Sequence, residues 1–234
     1  MASSIASLTL KEFFASKAPP KIVSICASQR AGSFNKMLHD YAVSVMESQG
    51  AQVTPVDLHS LNLPLYCPEL DQKAFPDSAQ KLKNQLMAAD GIFIASPEYN
   101  GLMTPLLYNS ITWATRGEGD MYAGFKGKCA SVMATSPGPM GGLRMIRSLQ
   151  HMLADMGTVI VPGANAIGNA FDVFDKDGKI LDEVAKAKVE TTCGNLVHFC
   201  RYQANRDADC AIYNELQHLT TMGEYGQVDI PDRY

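Results

Sequence analysis

The chain of 234 residues is long enough for one domain with a sizeable hydrophobic core and short terminal additions. Hydrophobic residues make up 46% of it and charged residues 19%, as in ordinary globular proteins, and the formal net charge is −4. This balance excludes the basic surface of a nucleic-acid-binding protein. No uninterrupted apolar stretch is long enough for a transmembrane helix, so no membrane partner is expected.

The two ends of the sequence differ from its middle. Residues 1–20 are rich in Ser and Ala and lack the apolar core of a secretory signal, which predicts a short helix or a flexible lead-in. A transit peptide is the less favoured alternative, since the segment has no arginine. Residues 21–205 form the predicted domain, and the polar residues 206–234 form a C-terminal extension that wraps it or covers a partner subunit. The six cysteines show neither C-x-x-C nor metal-ligand spacing, which predicts a reduced, cytoplasmic protein without a metal site.

Strand and helix patterns alternate along the domain. Short apolar runs predict strands at residues 21–26, 51–58, 91–95, 127–135 and 158–162. Helical periodicity predicts helices at residues 33–49, 77–89, 104–115, 143–156 and 182–205, with a loop over 59–75. Such alternation is typical of parallel β-α-β units. Five strands favour an α/β fold with a flavodoxin-like, doubly wound parallel sheet of order 2-1-3-4-5 and helices on both faces.

Three polar loops each follow one of the predicted strands. The first loop spans residues 28–35, the second spans residues 96–101, and the third spans residues 136–142. The carboxyl ends of parallel strands share one edge of the sheet, and ligands bind in the crevice there. We therefore expect all three loops to meet in one site.

The first loop opens a helix and matches neither common nucleotide fingerprint, G-x-x-x-x-G-K-[ST] or G-x-G-x-x-G. The helix N-terminus would bind a phosphate, helped by the charge of Arg30 and by the side chains of Ser28, Ser33 and Asn35. The alternative is simple capping, with Gly32 in the turn and Ser33 as N-cap. For this loop alone, capping is the stronger interpretation.

The second and third loops suit a flat heteroaromatic ligand. The Tyr99 ring and the neighbouring backbone groups would contact its face and polar edge, although Asn-Gly is also a common turn dipeptide. The glycines of the third loop would let the backbone approach a planar ring closely. The alternatives are surface packing of Tyr99 and a flexible strand-to-helix turn.

In order along the chain, the motifs S-x-R-x-x-S-x-N, P-E-Y-N-G and S-P-G-x-x-G-G-x-R resemble the NAD(P)H-dependent FMN reductase family. That family includes quinone, chromate and azo-dye reductases on the flavodoxin-like fold, and the resemblance extends over about residues 21–205. It implies FMN as cofactor and NADPH or NADH as electron donor. Hydride would pass to N5 of FMN and electrons then to a small-molecule acceptor, in ping-pong fashion. The sequence departs from the family at Ala27, usually Gly, and at Leu102, often Ser.

Carried over position by position, the resemblance divides the three loops between the two parts of FMN. The residues implied to hold the phosphate are Ser28, Arg30, Ser33, Phe34 and Asn35. The residues implied to line the isoalloxazine are Pro97, Glu98, Tyr99, Asn100 and Gly101. Those at its other polar edge are Ser136, Gly138, Gly141 and Gly142. No catalytic acid or base is expected, and amides of the third loop and the next helix N-terminus would stabilise negative charge on the ring.

The sequence leaves several alternatives open. The alternative to an enzyme is an FMN-binding electron carrier or interaction module without NAD(P)H turnover. The sequence shows no acidic docking patch, which favours the enzyme. Neither the acceptor nor the choice between NADPH and NADH is decided. The resemblance implies a homodimer or homotetramer.

A cluster of apolar residues beside the predicted site supports a subunit interface. The alternative is that the helix carrying them packs against the sheet of its own subunit. The members of the cluster are Leu102, Met103, Leu106, Leu107 and Trp113.

The sequence Asp175-Lys-Asp-Gly178 resembles part of a calcium loop, but Val173 and Val184 stand where ligands would be needed, so a turn is predicted.

Overall fold

The computed structural model describes residues 18–163 and 165–221, with side chains as far as residue 204. Its strands are β1 (Lys21–Cys26), β2 (Gln52–Asp57), β3 (Gly91–Ala95), β4 (Cys129–Thr135), β5 (Val159–Ile160) and β6 (Ala166–Ile167). Its helices are α1 (Phe34–Ser48), α2 (Pro68–Lys73), α3 (Asp77–Met87), α4 (Pro105–Ala114), α5 (Leu143–Asp155), α6 (Ala170–Val173) and α7 (Glu183–Thr221).

The sheet has the strand order β2-β1-β3-β4-β5, and every pairing in it is parallel. The predicted fold class and strand order are confirmed. A sixth strand, β6, pairs with the last two residues of β4 and extends the sheet at its carboxyl edge. Two residues carry no periodicity, so sequence patterns did not predict this strand.

The core lies on both faces of the sheet, which explains the near-continuous apolar runs of its central strands. Every residue of β3 and of β4 is buried. Alternate residues of these strands belong to two separate apolar clusters, one including α1 and α7, the other including α3, α4 and α5. Strands covered by helices on both faces need apolar residues at successive positions.

The closing helix is longer than its sequence pattern predicts. Helix α7 continues to Thr221 instead of ending near residue 205, so the predicted domain boundary falls inside a helix. The predicted loop over residues 59–75 also contains the short helix α2. The expectations for residues 1–17 and 222–234 concern segments outside the described residues. Among the described helices, none combines the length and apolar character needed to cross a bilayer.

Candidate functional site

The three polar loops border one cavity of about 730 Å³ at the carboxyl edge of the sheet. The predicted site residues that line it are Ser28, Arg30, Ser33, Phe34, Asn35, Pro97, Glu98, Tyr99 and Ser136. Those that do not line it are Asn100, Gly101, Gly138, Gly141 and Gly142. The sequence analysis missed Gly32, Met37, Thr135, Pro137, Phe171, Phe174, Asp175 and Lys176, which also line it. The volume is in the range of small-molecule and cofactor sites.

The first loop leaves the start of α1 open to an anion. Ser33 occupies the N-cap position, but its side chain makes no capping hydrogen bond. The residue is buried, and Gly32 before it makes the turn with a φ of +64°. The first turn of a helix has N–H groups without intrahelical acceptors, and these groups attract negative charge. The capping alternative, with the Ser33 side chain as the cap, is therefore not seen in the structure.

Asn35 joins the first loop to the third. Its Nδ2 donates to the carbonyl of Thr135 at 2.9 Å, and its Oδ1 accepts from the Thr135 N–H group at 3.0 Å. The side chain is buried. These two bonds hold the first turn of α1 against the end of β4, so the side chain positions the loops.

Glu98 spans the second loop and the start of α5. Its Oε2 accepts from the N–H groups of Arg144 and Met145, both at 3.1 Å, and its Oε1 accepts from the Arg144 guanidinium at 2.5 and 2.8 Å. Burial by itself would raise the pKa of Glu98, but the bonds from Met145 and Arg144 outweigh it and hold the pKa below its ordinary value. The N-terminal charge of α5 is thus already matched by a carboxylate. The expectation that this helix end stabilises a ligand's negative charge is not supported.

The second loop ends in a tight turn. Tyr99 and Leu102 exchange both backbone hydrogen bonds, at 2.9 and 3.0 Å, around Asn100 with φ +54° and Gly101 with φ +85°. Two positive φ values in a two-residue hairpin are typical of a type I′ turn. The turn presents the half-exposed side chains of Tyr99 and Leu102 at the rim of the cavity. Asn100 and Gly101 therefore shape the loop.

Two glycines of the third loop are required by protein packing. A Cβ atom on Gly141 would lie 2.6 Å from backbone atoms of Ile167, and one on Gly142 would lie 2.6 Å from the Cβ of Ala134. Both residues also have positive φ. Contacts this short exclude a side chain. These glycines therefore allow the third loop to lie close against β6 and β4. Gly138 forms part of the turn, where its carbonyl accepts from Ser136 Oγ at 3.1 Å.

Thr135 is a site residue that the sequence analysis missed. Its side chain is buried at the end of β4, lines the cavity, and its Oγ1 has no hydrogen-bond partner within the described residues. A buried hydroxyl without a partner is costly. Ser131 Oγ and Asn165 Nδ2 also have no partner within the described residues, but of the three only Thr135 lines the cavity. The only sign of this residue in the sequence is its place, directly before the third loop.

An aromatic wall closes one side of the cavity. The ring of Phe34 contacts Phe171 edge-on with centroids 5.2 Å apart, and it lies 5.8 Å from Phe174 at an angle of 31°. Phe171 is exposed and Phe174 is buried. The sequence analysis did not include either phenylalanine because both lie far from the three loops along the chain.

Glu98→Gln is expected to lower the free energy of unfolding by about 1–2 kcal/mol at neutral pH, because the variant loses the charge that caps α5. The folded-state pKa of Glu98 is lowered. Its contribution is therefore complete above the unfolded value of about 4.3 and disappears as the pH falls through the lower folded value. Thermal unfolding of both proteins from about pH 7 to about pH 3 measures this difference.

Glu118→Gln is the matched control for this experiment, since Glu118 is exposed in a loop outside the cavity. The capping role would be contradicted if the difference in stability between wild type and Glu98→Gln stayed constant down to the lowest pH of the series.

The model of the NADPH-dependent FMN reductase family matches residues 20–172, which contain all three loops. The chain belongs to this family. An NAD(P)H-dependent FMN reductase of Pseudomonas aeruginosa is 30% identical over 172 residues, covering 73% of this chain and 89% of that protein. A quinone reductase of Escherichia coli is 28% identical over 167 residues, covering 70% of this chain and 86% of the relative.

A solved structure of the same kind agrees with this assignment. The flavoenzyme FerB of Paracoccus denitrificans, an NAD(P)H:(acceptor) oxidoreductase, superposes with a TM-score of 0.69 at 26% identity. The match covers 79% of this chain and 98% of FerB. This member of the FMN reductase family is thus an NAD(P)H-dependent flavin oxidoreductase with FMN as its cofactor, and the electron-carrier alternative is not favoured.

Proposed function

We propose that this FMN reductase holds FMN in the three-loop cavity and passes electrons to quinones. The phosphate would lie at the first loop, between Arg30 and the uncapped start of α1. The isoalloxazine would lie between Tyr99 and the third loop. The observation that carries this placement is the single cavity that residues of all three loops line together, with Thr135 between them.

The residues of the cavity fit FMN in charge and shape. Arg30 and the hydroxyl of Ser33 supply groups for a phosphate, and the cavity volume matches a cofactor of this size. When bound, FMN supplies hydride acceptance and electron transfer, while the chain supplies binding and orientation. Among the lining carboxylates, Glu98 accepts hydrogen bonds from the start of α5, and Oδ1 of Asp175 accepts two from its own turn.

The rim of the cavity favours a flat, partly apolar acceptor. Tyr99 of the second loop, Leu102 directly after that loop and Met140 of the third loop are each about half exposed. Aromatic and apolar side chains contact a quinone ring well, whereas a highly charged acceptor would gain little from them. The Escherichia coli relative is itself named a quinone reductase, which supports quinones as the acceptor class.

Anaerobic mixing tests the proposal. The isolated yellow protein is expected to bleach within seconds with NADPH or NADH and to recover its colour on addition of a benzoquinone. Steady-state rates with both nicotinamides, against quinones, free flavin and ferric complexes, then rank the acceptors. Colour that persists with both donors would contradict the reductase, and faster turnover of free flavin than of any quinone would contradict the acceptor class.

We also propose that the chain forms a homodimer through the cavity rim. Leu107 and Trp113 are fully buried within their own subunit, so packing of α4 on its own sheet accounts for them. The exposed residues that remain nearby are Tyr99, Leu102, Tyr108 and Met140. An apolar rim beside a cofactor site is typical of an interface. Light scattering is expected to give a multiple of the 25.4 kDa chain mass, and a fully active monomer would contradict the dimer.

A cytoplasmic location is part of the same proposal. Cys26, Cys67, Cys193 and Cys200 are thiols and not parts of disulfides, as is usual in a reducing compartment.

A further inference from the structure

The aromatic wall continues from Phe171, inside the family match, into residues that follow the end of that match. The match ends at residue 172. Phe174, Asp175 and Lys176 follow it and line the cavity together with the first loop. The segment that carries Lys176 therefore borders the same cavity as the proposed phosphate site.

A tight turn fixes the position of Lys176. The Asp175 N–H group donates to the carbonyl of Lys179 at 3.0 Å, and the Asp175 carboxylate accepts from the N–H groups of Asp177 and Lys179, both at 2.9 Å. Phe174 and Ile180 form an isolated β-bridge just outside this turn. The aspartate that neighbours Lys176 is thus occupied by the turn, which also accounts for the calcium-loop-like sequence.

Phe34 links this turn to the first loop. Its ring packs against Phe174 on the turn segment, and the Arg30 guanidinium carbon lies 5.8 Å from its centroid. Arg30 and Phe174 therefore both lie beside the Phe34 ring. Arg30 and Lys176 both line the cavity, and the ring of Phe34 joins the segments that carry them.

The charges that line this end of the cavity are unbalanced. Arg30 and Lys176 are exposed, and neither makes an ion pair or a hydrogen bond with another described residue. The two carboxylates that line the cavity are bonded elsewhere, Glu98 to α5 and Asp175 to its turn. A phosphate monoester carries a charge of about −1.5 to −2 at neutral pH. Arg30 and Lys176 together outweigh the Asp175 carboxylate, so the lining of this end carries a net positive charge, opposite to that of a phosphate.

We propose that Lys176 is a second phosphate-binding cation, acting with Arg30 on the 5′-phosphate of FMN. This assignment rests on the proposed placement of FMN. It makes the segment from Phe171 to Lys176 a wall that selects the phosphorylated flavin over riboflavin. Lysine acts here as a point charge, whereas arginine can also form directed pairs of hydrogen bonds.

Equilibrium titration of FMN-depleted protein with FMN and with riboflavin tests the assignment by flavin fluorescence. Lys176→Gln is expected to weaken FMN binding roughly two- to fivefold, the range for an exposed charge pair, and to leave riboflavin affinity unchanged. Lys179→Gln is the matched control, because Lys179 is exposed on the same turn and does not line the cavity. It should behave as wild type with both flavins.

Two further measurements separate the possible failures. The FMN effect of Lys176→Gln should shrink as salt is raised, since screening weakens exposed charge pairs. In a double variant with Arg30→Ala, the two losses should not add, because both side chains act on one group. Wild type that does not prefer FMN to riboflavin would refute the placement of FMN itself. Two other outcomes would refute the role of Lys176 alone, provided that wild type prefers FMN. One is a Lys176→Gln variant with the same preference for FMN as wild type, and the other is a variant in which only the KM for NADPH rises.

Discussion

FMN is expected to bind the Arg30→Ala variant about 1.5–3 kcal/mol more weakly than wild type, a loss of about tenfold to 150-fold. Arg30 is exposed, lines the proposed phosphate end of the cavity and stacks near the Phe34 ring. Its guanidinium can donate charge-assisted hydrogen bonds to phosphate oxygens, which are stronger than bonds between neutral groups. Riboflavin, which lacks the phosphate, should bind both proteins equally. Fluorescence titration with the two flavins measures the difference directly.

Arg147→Ala is the matched control for this experiment. Arg147 is exposed on α5 and does not line the cavity, so its removal changes the net charge by the same amount at another place. Equal losses for FMN and riboflavin in Arg30→Ala would show that the arginine supports the ring or the fold instead of the phosphate. Isolation of the protein with FAD would contradict a site built for one terminal phosphate.

Asn35→Ala is expected to lower the free energy of unfolding by about 2–4 kcal/mol. The substitution leaves the N–H and the carbonyl of Thr135 without their side-chain partners, and each buried polar group left unpaired costs about 1–3 kcal/mol. The same change frees the first loop from the third, so the cavity should also lose FMN affinity. Denaturant unfolding and FMN titration together measure both effects.

Asn84→Ala serves as the control for stability, because Asn84 is exposed on α3 and its side chain bonds only to Gln80. Its effect should stay within about 0.5 kcal/mol. An Asn35→Ala protein as stable as this control would show that water or a shifted backbone replaces the lost bonds, and the positioning role would be wrong.

The sequence by itself determined the features that depend on short-range patterns. The strands from Lys21–Cys26 and Gly91–Ala95 are runs of apolar residues, and each is followed at once by a polar loop, so the strands, their order and the edge where the loops meet were predictable. The motif P-E-Y-N-G likewise identified both the family and the tight turn. All of these are properties of residues that are neighbours along the chain.

Only the tertiary structure decided what each side chain in the loops contacts. Asn35 bonds to a residue 100 positions away, and Glu98 caps a helix that begins more than 40 residues later. The wall around Lys176 reaches the first loop through contacts between Phe34 and Phe174, and Gly141 is a glycine because β6 passes beside it. Such contacts depend on how the sheet twists and how the helices pack, because hydrogen bonds and van der Waals contacts act over a few ångströms, whatever the separation along the chain.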